Sequence, residues 1–311
     1  MPEKQKILID TDIGDDVDDA FALVAAMDLG LEILGITTVF GNTRQRACVA
    51  KKLLRLYGNG YETVPVYAGW GRPLDAQEET YPDLCQYTPD LEREEYRPEG
   101  IGSAAAKLIA DTCNRYGKDL TVVAIGPFTN LAQVLRRWPE ALSRAGRVVI
   151  MGGAYEKQYA DWNVMCDVSA AELLFSSLKN LECMGADVTH TLKVAPDMQR
   201  QVLNYHGQNR AMEYLSELCA LWRKANPQTE MMLQDSLAVY YAADREICSM
   251  KKARVKVITD GYARGMTLNT DAYAKRWMNP AYREDRSEEV RYACRADGER
   301  ILDDLRRKLA K

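Results

Sequence analysis

Histidine is nearly absent: His190 and His206 are the two in 311 residues. That argues against a zinc site built on histidines and against most chemistry in which imidazole carries protons. The eight cysteines include no C-x-x-C pair, so neither a thiolate metal site nor a dithiol redox centre is written in the chain. Most lie in apolar surroundings, as buried reduced thiols do. No apolar run approaches the ~20 residues of a membrane span. Residues 1–6 lead straight into an apolar strand-like segment, without the long stretch of a secretion signal. Reduced thiols without a targeting segment make the cytoplasm the expected compartment. The net charge of −4 gives no electrostatic case for nucleic acid. Neither an internal repeat nor a Pro- or Ser-rich linker is evident, so one domain over residues 1–311 is expected.

What the chain does have is aspartate in one place. Six fall within residues 10–19, in the run I-L-I-D-T-D-I-G-D-D-V-D-D-A. Apolar segments flank the run on both sides, so it is not a solvated acidic tail. Asp18 alone would suit a helix N-cap. Six carboxylates packed this closely repel one another unless some are protonated or a cation sits among them. Hard oxygen donors favour calcium or magnesium over zinc.

The pattern around the cluster alternates β-rich runs with amphipathic helices. Strands are expected at 6–10, 32–39, 64–68, 120–125, 147–151, 182–185, 254–259 and 290–294. Helices are expected at 18–29, 44–57, 103–116, 128–137, 169–177, 197–205, 210–224, 236–244 and 298–309. Residues 69–100 form a long stretch rich in Pro, Gly and acid, and loops of that length are usually functional. Repeated βα units imply an α/β fold, doubly wound, with a mainly parallel central sheet and helices on both faces. Ligands of such sheets bind outside the carboxyl ends of the strands. The acid cluster, Gly41-Asn42, Gly126-Pro127 and Gly152-Gly153 all follow expected strands, so they should meet there, with Asp161 and Asn163 in the loop beyond.

Seven segments taken in order carry a family resemblance: D-T-D-I-G-D-D-V-D-D-A, T-T-V-F-G-N, A-I-G-P-F-T-N-L-A, V-V-I-M-G-G-A, D-W-N-V, Q-D-S-L-A-V and G-Y-A-R-G-M-T. Together they resemble the inosine–uridine nucleoside hydrolase superfamily, over nearly the whole chain. The resemblance implies a calcium-dependent enzyme that splits a ribonucleoside or related riboside into ribose and base. It implies that Asp12 is calcium ligand and general base. Asp19, the Ile125 carbonyl and Asp235 would complete the calcium site, and Asp18 would grip a ribose hydroxyl. Asn42, Asp161 and Asn163 would contact ribose, Asp161 being a shorter acid where relatives commonly carry Glu. The family usually forms homodimers or homotetramers, and its partner is a small riboside rather than a nucleic acid or a membrane.

The chain departs from the pattern in three places, one being a short loop after Gly153, where relatives would recognise the 5′-hydroxyl. The acidic motif is two residues longer than D-x-D-P-G-x-D-D, leaving Asp15 and Asp16 without counterparts. Gln234 stands where the inosine–uridine class carries a histidine that protonates the leaving base. Trp222, on a helix with Leu218 and Leu221, has two readings: core packing, or stacking against that base. Two rival functions stay open at this level. Asp10-Thr11-Asp12 mimics the nucleophile and acid of a haloacid-dehalogenase-like phosphatase, and Gln234 is compatible with a catalytically weak ribose- or nucleoside-binding relative.

Overall fold

The computed structural model describes residues 4–76, 81–272 and 288–310. Its framework is a ten-stranded sheet in the order β4-β3-β2-β1-β5-β6-β7-β10-β8-β9. In chain order the first half runs β1 (Lys6–Thr11), α1 (Asp18–Asp28), β2 (Glu32–Thr38), α2 (Thr43–Tyr57), β3 (Val66–Ala68), β4 (Gly100–Ile101), α3 (Ser103–Tyr116), β5 (Leu120–Ala124), α4 (Thr129–Arg137) and α5 (Ala141–Arg144). The second half runs β6 (Arg147–Met151), α6 (Trp162–Cys166), α7 (Val168–Ser177), β7 (Leu181–Met184), α8 (Ala186–Thr189), α9 (Pro196–Leu203), α10 (Arg210–Ala225), α11 (Gln234–Ala243), β8 (Cys248–Val257), β9 (Thr267–Asn269) and β10 (Glu289–Ala296). The helix Gly298–Leu309 follows.

Strands β1, β5 and β6 read as continuous apolar runs because both faces are covered, and Ile7, Leu8, Ile9, Val122, Val123, Val148 and Val149 are all fully buried. From β4 to β7 every neighbouring pair is parallel. The chain winds outward from β1 through β2, β3 and β4, then returns to lay β5 on the other side of β1. The β1/β5 boundary is therefore the topological switch point, where open α/β sheets hold ligands.

The far edge departs from the sequence reading. β8 pairs antiparallel with β10 and starts at Cys248, six residues before the expected strand. Lys251 and Lys252 hide its start in the sequence. Both are exposed, paired with Glu156 and Glu289. Expected strand 64–68 shortens to Val66–Ala68.

The described parts of the 69–100 stretch, residues 69–76 and 81–100, form a brace. Leu91 and Tyr96 are buried on two short 3₁₀ turns, Pro89–Glu92 and Glu94–Tyr96. Fully buried Gln86 ties it to the acidic loop: its backbone N–H donates to Gly14 O at 3.1 Å and its side-chain amide to Asp16 O at 3.0 Å.

A candidate metal and ribose site at the switch point

Two helices aim their first turns at the end of β1. Asp18 and Asp19 occupy the first turn of α1, and Asp235 the first turn of α11. The two helices pack against each other, which brings residues more than 200 positions apart into one cluster. One oxygen from each of Asp18, Asp19 and Asp235 lies within 4.8 Å of the others, and all three side chains are buried. Thr11 orients Asp19 by donating its hydroxyl to Oδ1, and the Asp235 N–H donates to Asp18 Oδ2 at 3.4 Å.

Asp12 lies outside this triad but lines the same cavity of about 310 Å3, as do Ile125, Asp161, Asn163, Trp222 and Gln234. The Asp12 carboxylate rests against the start of the turn after β5. A Cβ at Gly126 would come within 2.8 Å of Asp12 Oδ1, so the close approach requires glycine there. Asn163 Nδ2 donates to the carbonyls of Ile125 and Met151, at 3.0 and 3.2 Å. Asp161 caps α6 through its Oδ1 and Val164 N–H, at 3.3 Å. Asn42 is placed apart from these residues. It caps α2, accepting from Gln45 N–H at 3.5 Å, and lines an adjoining cavity with Trp70, Arg72 and Tyr81. Trp222 is 2% exposed, packed in the core, and also forms part of the cavity wall.

Charge decides what this cavity can hold. Burial pushes the Asp12 carboxyl up to about 6, against the opposing pull of the Arg46 guanidinium. Burial and mutual repulsion hold Asp18, Asp19 and Asp235 well above the ordinary carboxylate range. A helix N-terminus offers at most ~2 kcal/mol to an anion, while an unpaired buried charge costs several kcal/mol. Two helix ends therefore cannot offset three buried carboxylates. Among the described residues Arg46 is the one basic side chain lining the cavity, and its donors are already engaged. An all-oxygen donor set with uncompensated negative charge fits a hard divalent cation.

Arg46 and Phe40 are the residues that sequence reasoning missed. Arg46 is 1% exposed and donates to the carbonyls of Asp12, Ile13 and Phe40 and to the Asp15 carboxylate. It thus locks the acidic loop to the end of β2 and gives Asp15 a structural partner. An arginine in the first turns of a helix, 31 residues from Asp15, carries no local signal for this. Phe40 lines the cavity in a left-handed conformation, φ 65°, that a bulky residue adopts only under constraint. The V-F-G-N segment contained it without revealing the strain. Replacing Arg46 by Met is expected to leave three carbonyls short of a donor, each worth about 1–3 kcal/mol. Denaturant unfolding should show a loss of about 3 kcal/mol or more, and Arg46→Lys should recover little of it because lysine lacks the planar fork. A midpoint equal to wild type would contradict the locking role.

Asp10 is not part of the cavity wall. It is fully buried behind it, accepting from Thr37 Oγ1 and from Asn130 Nδ2, the latter at 2.7 Å. A phosphatase nucleophile must reach its substrate, so the D-x-D reading loses its first residue.

Comparison with known proteins identifies the family. The family model described as "Inosine-uridine preferring nucleoside hydrolase" matches residues 7–303. Uridine nucleosidase 1 of Arabidopsis thaliana is 29% identical over 290 residues, covering 89% of this chain and 85% of that protein. The inosine-uridine preferring nucleoside hydrolase of Leishmania major is 29% identical over 281 residues, covering 85% and 87%. The structure of a purine-preferring ribonucleoside hydrolase from Gardnerella vaginalis superposes with a TM-score of 0.74 at 25% identity, covering 98% of each chain. Fold, order of motifs and full-length match agree: this chain belongs to the inosine-uridine preferring nucleoside hydrolase family.

Proposed function

We propose that this protein is a calcium-dependent ribosidase that hydrolyses the N-glycosidic bond of a ribonucleoside, releasing ribose and a free base. The observation that carries the reading is the convergence of buried Asp18, Asp19 and Asp235 in a cavity where the one basic side chain among the described residues, Arg46, is already engaged by Asp15 and backbone carbonyls. Asp19, Asp235, Asp12 and the Ile125 carbonyl would hold the cation, with Asp18 beside them. When bound, a divalent cation supplies charge compensation and acidifies a water.

The rest belongs to the chain. Asp12 takes the proton of the attacking water as general base. Asp18 and Asp161 accept hydrogen bonds from ribose hydroxyls, and their charge favours the positive character that the sugar gains as the bond to the base breaks. The Asn163 amide nitrogen is engaged with two carbonyls, so its Oδ1 is the atom offered to the sugar. Asn42, facing the adjoining cavity, is not needed in this set. Trp222 gives the base an aromatic wall. A ring of acceptors matches a diol and repels a phosphate, which favours nucleosides over nucleotides. The relatives' names divide among uridine, inosine–uridine and purine, so the base stays open. We also place the protein in the cytoplasm, as one domain that forms a homodimer or homotetramer; the first rests on composition and the last on family likeness alone.

A nucleoside panel tests the function. Ribonucleosides should be cleaved, activity should vanish in strong chelator and return with calcium, and 2′-deoxyribonucleosides should be poor substrates because buried acceptors lose their partner. Full activity in chelator, or equal turnover of ribo- and deoxyribonucleosides, contradicts the proposal. Tight riboside binding without turnover would favour the binding-only reading.

A further inference from the structure

The cavity is chemically divided. Carboxylates crowd the side formed by the acidic loop and the start of α11, while Trp222, Asn226 and Thr229 bring neutral groups from the end of α10 and the turn after it. Gln234 sits at the seam, half-buried, immediately before Asp235. Its amide is anchored by a neighbouring hydroxyl. The hydroxyl of Thr189, the fully buried last residue of α8, donates to Gln234 Oε1 at 3.1 Å. With its oxygen so engaged, the amide has its two N–H donors left for the cavity. The opposite orientation would aim a carbonyl oxygen into a space lined by Asp18 and Asp235, where like partial charges repel. A hydroxyl can donate or accept, so Thr189 fixes the position of the amide and the electrostatics select its orientation.

We propose that Thr189 and Gln234 form a positioned neutral donor for the leaving base, with the Gln234 amide hydrogen-bonding an acceptor next to the glycosidic nitrogen. The inference rests on the ribosidase reading and says how that site handles the departing group. The acceptor is a ring carbonyl oxygen in a pyrimidine or a ring nitrogen in a purine. As the bond between the anomeric carbon and the base breaks, its electron pair passes to the base. Water supplies the hydroxyl that the sugar gains, and Asp12 takes the water's remaining proton. The base recovers a proton from solvent after departure. Gln234 transfers no proton; its N–H groups stabilise the negative charge that develops on the base. Thr189 is absent from the cavity lining and is a positioning residue.

The experiment compares kcat for uridine and inosine with kcat for p-nitrophenyl riboside, whose leaving phenolate needs no such donor. In Gln234→Leu the ratio of natural to activated turnover should fall by ~10²-fold, the effect of removing one donor aimed at developing charge. In Thr189→Val it should fall by about tenfold, the worth of one hydrogen bond of ~1.4 kcal/mol. Thr189→Ser keeps the hydroxyl and should retain the wild-type ratio, which a merely structural role for Thr189 does not require. Wild-type turnover of both ribosides with an unchanged ratio in Thr189→Val and in Gln234→Leu overturns the inference alone. Wild type that cleaves neither riboside overturns the ribosidase reading and takes this one with it. Should Thr189→Val not fold, Gln234→Leu on the cavity wall still decides.

Discussion

Replacing Asp12 by Asn is expected to lower kcat by about 10²–10⁴-fold, the usual loss when a general base is removed. The substitution conserves shape, so the carboxylate's seat against Gly126 survives and the protein should fold. The effect on the cation separates Asp12 from the triad. Asp18, Asp19 and Asp235 converge without Asp12, so Asp12→Asn should weaken calcium binding less than Asp235→Asn does. Calorimetric titration of the two variants gives that order directly. Asp18→Asn should differ from both, raising KM more than Asp12→Asn does, because its expected partner is the sugar. The pH profile adds a check. Burial holds the Asp12 carboxyl at about 6 in the cation-free chain, and a neighbouring cation favours the charged form. The acid limb of kcat should then fall below pH 6 in saturating calcium. A variant Asp12→Asn within threefold of wild-type kcat would remove Asp12 from the mechanism.

The parts of this site that the sequence disclosed are those set by local pattern. The continuous apolar runs of β1, β5 and β6 can only be strands covered on both faces, and parallel strands put their carboxyl ends on one edge. That places Asp12, Ile125 and Asp161 together before any coordinates exist. Asp235 follows less from physics than from likeness, since nothing local announces that α11 packs its first turn against α1. Asn42 lies at the strand end where the pattern puts it, and its side chain also caps α2. Arg46 and Thr189 were illegible for a common reason: each acts through one long-range hydrogen bond or more, and an arginine on a helix or a threonine near a chain turn has ordinary uses everywhere. Helix α6 escaped notice because five residues carry no period, although Asp161 with Val164 is an ordinary cap pair. β4 is two residues long and gives no pattern at all.

Without its cation, the protein should become more stable as the solution is acidified from pH 8 to pH 5. Paired carboxylates give no such trend over that range, because they titrate below their ordinary values near pH 4. Here burial holds Asp10 at about 7 and Asp12 and Asp161 at about 6, with Asp18, Asp19 and Asp235 also well above their ordinary values. The unfolded chain releases these protons near pH 4. Between that value and the folded pKa the native state binds more protons, so stability falls as pH rises. The contribution is fully present below about pH 4 and is lost as pH passes through about 6 and 7. Asp10 alone, raised by about three pH units and fully buried, represents about 4 kcal/mol at neutrality. Glu156 and Asp244, held low by Lys251 and Arg300, act in the opposite sense, but only below their ordinary values, outside this window; His190, its pKa lowered by burial, opposes the trend inside it but is one group against six. Calcium should offset the repulsion at Asp18, Asp19 and Asp235, and so raise the unfolding midpoint much more at pH 8 than at pH 5, where protons already do part of that work. It should not relieve Asp10, which lies behind the cavity, so a residual fall of stability above pH 7 should persist in saturating calcium. Thermal unfolding in chelator and in calcium, each at pH 5 and pH 8, measures all of this. A chelated protein more stable at pH 8 than at pH 5, or an equal calcium shift at both, would show that the cluster is not carrying buried charge.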